Sequence, residues 1–214
     1  MRVLVVGANG QIGSQVVEKL NNNESINPVA MVRKQEQADA FNAKGVATKL
    51  VDLEGYVEDI EQAMDDVDAV VFTAGSGGST GPDKTLIIDL DGAAKTIEAA
   101  KNKGIKRFVM VSAIYANNRK DWNQDIKHYY VAKHHADRIL IESGLDYTII
   151  RPGGLTNEPG IGTINVAENL QVDSVTREDV AETIVASLQA DNTINKSFDL
   201  VNGDTDIVKA VKSI

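Results

Sequence analysis

Val3-Leu4-Val5-Val6-Gly7-Ala8-Asn9-Gly10-Gln11-Ile12-Gly13 joins an apolar run to a glycine-rich turn, and the architecture follows from that junction. Its first four residues are apolar and mostly β-branched, which reads as a short buried strand. Ile12, Val16, Val17 and Leu20 then recur at helical spacing, so a helix runs over Gln11 to Leu20. Glycines between a strand and a helix let backbone N–H groups approach a diphosphate, and the helix N-terminus adds partial positive charge. Gly13 also lets the helix lie close to the strand. The spacing is G-x-x-G-x-x-G rather than G-x-G-x-x-G. Gly7, Asn9, Gly10, Gln11, Ile12 and Gly13 are therefore expected to hold a nicotinamide dinucleotide. The plain alternative is a turn that needs glycine for backbone reasons alone.

Outward from this turn, short apolar runs alternate with amphipathic stretches. Strands are expected at Pro28 to Val32, Val46 to Val51, Ala69 to Phe72, Phe108 to Val111 and Tyr147 to Ile150. Helices are expected at Gln35 to Ala43, Val57 to Met64 and Lys127 to Glu142. Leu86, Leu90, Ala93, Ile97 and Ala100 form one helical stripe expected to face the sheet, and Gly104 stops that helix. Gly144 closes the helix that ends at Glu142. Thr176-Arg177-Glu178-Asp179 reads as a capping box ahead of Val180, Ile184, Val185 and Leu188, and Ser197 to Val201 as a late strand. Such alternation means an α/β fold: a doubly wound parallel sheet of the Rossmann type. With no repeat or long linker, residues 1–214 form one domain with a small integrated C-terminal substrate region. The substrate-side elements are expected mainly at 114–126 and 152–175, with Asn117 to Asp125 and Thr156 to Val166 as lid candidates.

Composition narrows the function classes. The formal net charge is −9, and no Lys/Arg run marks a nucleic-acid face. Apolar stretches of five or six residues fall far short of a membrane span, and no signal peptide is visible. Cytoplasmic location is the expectation. There is no cysteine, so neither a disulfide nor a thiolate metal site can form. His134 and His135 are adjacent on a helix and diverge, and His128 lacks metal-motif spacing to either, so no metal site is expected.

The second strand ends in Arg33-Lys34, where a site that prefers NAD places a carboxylate. A guanidinium binds a 2′-phosphate with charge-assisted bonds, so NADP(H) is expected over NAD(H). A solvated pair of cations is the alternative. Asp52, with Leu53 beside it, either meets the adenine or caps the next helix; both stay open. Ala74 and Gly75 are placed at the lip of the crevice, although Gly75, Gly77 and Gly78 also suit a flexible turn.

Tyr129 and Lys133 sit four apart on one helix face, and Ser112 ends the fifth strand. Together with the glycine loop, Val111-Ser112-Ala113, Tyr129-Tyr130-Val131-Ala132-Lys133 and Arg151-Pro152-Gly153-Gly154-Leu155, the chain resembles the short-chain dehydrogenase/reductases. Ser143 to Gly153 narrows this to the atypical branch, with its NmrA-like and biliverdin/flavin-reductase-like groups. The resemblance covers nearly the whole chain. It implies that Tyr129 is the general acid/base, that Lys133 lowers its pKa and binds the nicotinamide ribose, and that Ser112 orients the substrate. It also implies that Pro152, Gly153, Gly154 and Leu155 hold the carboxamide side through backbone groups. No catalytic asparagine can be placed, since Asn117 and Asn118 lie in an unassigned loop. On the residues alone, Tyr129 and Lys133 could be a solvated face with a snorkelling lysine, Ser112 a strand-end cap, and Trp122 either a pocket wall or a loop anchor. Tyr130 points elsewhere and reads as core.

The expected function is an NADP(H)-dependent oxidoreductase acting on a small carbonyl, alcohol or similar redox-active molecule, as monomer or homodimer. The alternatives are a cofactor-binding sensor, which has no need of an acid/base pair, and an epimerase or dehydratase, for which the chain after Arg151 is short.

Overall fold

Strand β1 (Arg2–Val6) lies at the centre of the sheet, paired in parallel with β2 (Asn27–Val32) on one side and β4 (Ala69–Phe72) on the other. A computed structural model describes residues 1–214. The remaining strands are β3 (Ala47–Leu50), β5 (Arg107–Val111), β6 (Asp146–Pro152), β8 (Thr163–Ala167), β10 (Lys196–Asn202) and β11 (Thr205–Asp206). The sheet order is β11-β8-β10-β6-β5-β4-β1-β2-β3. The order therefore reverses between β1 and β4, and the crevice at that switch point is where open α/β sheets bind ligands. β7 (Gly154–Thr156) and β9 (Ser174–Thr176) form a separate two-stranded parallel ribbon.

Helices cover both faces, which is why the central strands are apolar without alternation. Val3 and Val5 face α1 (Gly13–Asn21), α7 (Arg177–Leu188) and α8 (Ile207–Lys212). Leu4 and Val6 face α3 (Val57–Ala63), α5 (Ala93–Asn102) and α6 (Lys127–Glu142). α2 (Gln35–Asn42) packs Ala38 and Phe41 beside α1. Val3, Leu4, Val5 and Val6 are fully buried, each worth roughly 1.5–3 kcal/mol of apolar transfer. Gly104 and Gly144 take positive φ of 72° and 77° where their helices end, as the sequence suggested.

Three expectations change. The stripe Leu86, Leu90, Ala93, Ile97, Ala100 breaks at its first member: Leu86 is 58% exposed. A short α4 (Pro82–Lys84) leads into a π-helical segment, Thr85–Gly92, before α5. Its wider i→i+5 turns rotate the earlier residues, so Thr85 and Asp89 turn inward instead. Second, the sheet is not wholly parallel, because β8 pairs antiparallel with β10 and β11 at the edge. Its signal was a one-sided alternation, Ile164 buried and Asn165 exposed, that competes with flanking glycine and polar residues. Third, Thr156 to Val166 is not a free lid. It ends in β8, and residues 160–162 are stitched to α7 through their N–H groups by Glu178 and Asp179.

Candidate functional site

The turn from β1 into α1 is built around Gly7, at φ +82°. A Cβ there would lie 2.6 Å from Ala74 N in the chain leaving β4, and one on Gly13 would lie 2.7 Å from Thr73 Oγ1 and closer still to Gly7 O. Only glycine lets the three backbones meet. The Gly10 N–H is spent on Gly7 O at 2.9 Å, closing the turn. The N–H groups of Asn9, Gln11, Ile12 and Gly13 donate to no protein atom. No side chain caps α1 and its first turn holds no acid. α7, by contrast, is capped as expected, Thr176 Oγ accepting the Asp179 N–H at 3.0 Å. An uncapped helix start with free amides carries the positive end of the helix dipole toward the crevice. A polar cleft lined by Gln11, Gln15, Asn157 and Arg177 opens beside it.

At the end of β2, Arg33 is exposed and pairs with no carboxylate, while Lys34 reaches Glu36 at 3.5 Å. Asp52 does not cap α3: its Oδ1 accepts the Glu54 N–H at 3.0 Å, and Asp59 serves the helix start instead. The capping alternative for Asp52 is thereby corrected. Leu53 is buried against Gly92. Ala74 is buried under the turn, and a Cβ on Gly75 would lie 3.1 Å from Asp89 Oδ1, so Gly75 belongs to packed structure. Gly78 has open space around it, as a turn glycine would.

Tyr129, Lys133 and Asp137 occupy successive turns of one α6 face. Lys133 does not snorkel; its side chain is 7% exposed. Its ammonium lies 5.7 Å from the Tyr129 ring centroid, 3.3 Å from Val111 O and 3.4 Å from Asp89 Oδ1. Burial opposes this charge, but Tyr129, Asp89 and Asp137 outweigh it and the Lys133 pKa is raised, so the amine stays protonated. Burial also raises the Tyr129 pKa; Lys133 works against this, while Asp89 and Asp137 add to it. Below them, Arg151 Nε donates to Asp137 Oδ2 at 2.9 Å, a pair buried on both sides. Burial raises the Asp137 carboxyl despite Arg151 and Ser112.

Ser112 is not a strand-end cap. Its buried hydroxyl meets no backbone group and acts on the buried Asp137 carboxyl, whose Oδ1 is likewise without another partner. Buried polar atoms rarely stay unpaired, so this pair marks polar ground beneath the Tyr129–Lys133 face. The Pro152–Leu155 reading needs correction in detail. The Gly153 N–H is spent on Leu200 O and the Gly154 N–H on Asp173 O, both at 2.9 Å, and Pro152 O accepts from Ile114 N–H. The amides assigned to a carboxamide are already used in holding β6 and β7 to their neighbours. Leu155 remains partly exposed at the rim.

Above the site, Trp122 anchors its loop: Nε1 donates to Tyr115 O at 2.9 Å, and its ring stacks on buried Tyr130. His134 Nδ1 bonds Ala116 O at 2.8 Å from below. Tyr115 in turn accepts the Val172 N–H at its hydroxyl, 2.8 Å away, joining the segment 114–126 to the segment 152–175. Asn118 bonds Asp121 within its own turn and stays out of the site. Sequence reasoning missed Asp89, Asp137 and the role of Arg151. Asp137, one turn beyond Lys133, could have been found from spacing; Asp89 could not, because only the π-helical register turns it inward.

A family model described as NAD(P)H-binding matches residues 7–191. The chain is 56% identical over 214 residues, the full length of both, to a Bacillus subtilis protein called an uncharacterised sugar epimerase, YhfK. Among solved structures, it matches a Bacillus halodurans protein provisionally described as an NAD-dependent epimerase/dehydratase, at 44% identity and TM-score 0.94 over all of both chains. It also matches the Lactococcus lactis oxidoreductase YlbE at 34% identity and TM-score 0.92, over all of this chain and 96% of the other.

Proposed function

The chain belongs to the NAD(P)H-binding family of Rossmann-fold proteins, and from that premise we propose that it is an NADP(H)-dependent oxidoreductase acting on a small carbonyl, alcohol or similar redox-active molecule. The observation that carries the reading is the set of four unspent amides at the uncapped start of α1, at the switch point of the sheet. They suit a diphosphate. Arg33, free of any carboxylate, suits a 2′-phosphate and is the basis for preferring NADP(H). The same reading assigns Asp52, Leu53, Ala74 and Gly75 to the cofactor's adenosine side, with Leu53, Ala74 and Gly75 contributing through packed structure. When bound, the nicotinamide supplies or takes up the hydride. Tyr129 then moves the proton at the substrate oxygen, Ser112 orients that oxygen, and Lys133 sets the charge around the phenol.

Calorimetry with NADPH and NADH tests the first half. Wild type is expected to prefer NADPH, and Arg33→Ala to lose that preference. Binding of neither dinucleotide would end the proposal. A screen of carbonyl, quinone and flavin acceptors with NADPH tests the second half, with Tyr129→Phe expected to abolish turnover. Tight NADPH binding without turnover on any acceptor would favour a sensor. The name carried by the 56%-identical relative favours a second reading, an epimerase. Its mark is substrate inversion with no net consumption of dinucleotide. A small-molecule substrate and a monomeric or homodimeric state belong to the same proposal. No helix is long and apolar enough to cross a membrane.

A further inference from the structure

Asp89 is a carboxylate buried to 2% exposure on a π-helical segment, an irregularity common at functional sites. Its two oxygens face different partners. Oδ2 accepts the Ser76 N–H at 2.9 Å, fixing the chain that leaves β4. Oδ1 lies 3.4 Å from Lys133 Nζ. Gly75 leaves room for it, since a Cβ there would sit 3.1 Å from Oδ1. The Lys133 ammonium is thus held between Asp89 and Val111 O, beside the Tyr129 ring.

We propose that Asp89 is a positioning residue that acts through Lys133: it pins the ammonium beside Tyr129 and offsets its charge, so that the phenol keeps its proton and the site works in the direction of reduction. This rests on the assignment of Tyr129 as the proton-transferring group. A lysine one helical turn from a tyrosine normally draws it toward phenolate, the base that oxidation of an alcohol needs. Here the charged groups facing the phenol are Lys133 and Asp137 from α6 and Asp89 from the π-helical segment. Asp137 is paired with Arg151 of β6, so Asp89 is the carboxylate directed at the ammonium itself. Burial of the phenol acts in the same sense. In the reductive step the hydride brings its electron pair from NADPH to the substrate carbon, and the C–O π bond opens. The oxygen takes the Tyr129 proton, and the phenolate regains one from water. A phenol held in its protonated form is ready for that step, whereas the reverse step waits on its ionisation.

The test is a tyrosinate absorbance titration of the full chain without dinucleotide, with the Tyr129 contribution isolated by subtracting Tyr129→Phe in each background. Asp89→Asn keeps an acceptor for the Ser76 N–H but removes the charge. The Tyr129 midpoint should fall by about one pH unit or more. Asp89→Glu, which restores the charge, should stay near wild type. A folded Asp89→Asn chain with an unmoved midpoint overturns the proposal, as does a Glu variant that shifts as far as Asn. Should Asp89→Asn fail to fold, Asp89→Ser, equally uncharged and smaller, decides: a lowered Tyr129 midpoint supports the proposal, and an unmoved one refutes it. With a substrate in hand, Asp89→Asn should lower the ratio of reductive to oxidative kcat at neutral pH, and an unchanged ratio refutes the directional claim. Because the titration uses no cofactor, loss of NADPH binding would defeat the proposed function without touching the charge coupling, and the two failures stay separate.

Discussion

Replacing Gly7 with alanine should damage fold and cofactor site together. Gly7 sits at φ +82°, in the left-handed region, where an L-residue costs roughly 1–2 kcal/mol. The new methyl would also lie 2.6 Å from Ala74 N and 2.7 Å from Ala74 Cα. Those are backbone atoms of the segment continuing β4, which is paired to β1 in register, so no side-chain rotation relieves the overlap. Overpacking of this kind adds about 1–3 kcal/mol. Against this, alanine stiffens the unfolded chain by roughly 0.4–1 kcal/mol. The net loss is about 1–4.6 kcal/mol, a fall in Tm of about 2–18 °C for a chain of this size. Gly78→Ala is the control, since nothing lies within contact of a Cβ there and its φ is not positive. Thermal melts of both variants, with NADPH calorimetry on each, give the answer. Gly7→Ala should melt early and bind weakly, and Gly78→Ala should match wild type. A Gly7→Ala chain that melts and binds like wild type would show that the close approach of β1 and β4 termini is not what holds the turn.

Asp137→Ala strands the Arg151 guanidinium in the core and should cost about 3–5 kcal/mol in urea denaturation, with much of the loss recovered when Arg151→Met is added. Burial lowers the His134 pKa from its ordinary 6.5, so the unfolded chain takes up a proton that the folded one resists. Stability is therefore whole above pH 6.5 and falls as the pH drops toward the depressed folded value. Asp137 and Asp199, both raised by burial, bind protons first in the folded state and oppose the trend, so the readout is the difference in Tm against pH between wild type and His134→Gln, which should shrink that slope. Tyr115→Phe removes the acceptor for the Val172 N–H, and amide exchange at Val172 should quicken by about tenfold, the equivalent of one lost hydrogen bond; unchanged exchange would mean that the hydroxyl does not tie the two segments.

The turn from β1 to α1 was legible because everything that makes it is local. Four β-branched and apolar residues cannot face water, Gly7 and Gly13 stand where a Cβ meets backbone, and the helix that follows has its own apolar stripe. Gly104, Gly144 and the Thr176 cap were legible for the same reason: each serves a hydrogen-bonding or φ requirement of its own segment. Tyr129 and Lys133 were placed by spacing alone. What spacing could not say was whether Lys133 faced solvent, since an exposed and a buried lysine on a helix look identical until the neighbouring helix is present.

That neighbour is where reading along the chain stopped. Asp89 turns inward only because the π-helical segment shifts the register, and its meaning depends on Lys133, 44 positions away in the chain. Arg151 sits in a strand that reads as plain core, and its charge is met there by Asp137 from α6 and by Asp199 opposite it on β10. β8 joins the sheet through β10, which follows it in sequence and pairs antiparallel to it. The α/β alternation, the glycine turn and the helix face bearing the tyrosine and lysine can be read along the chain, because short-range sterics and burial specify them. The charge balance around that face follows from the packed fold alone, because Coulomb interactions in a low-dielectric interior depend on distances between elements that no local pattern encodes.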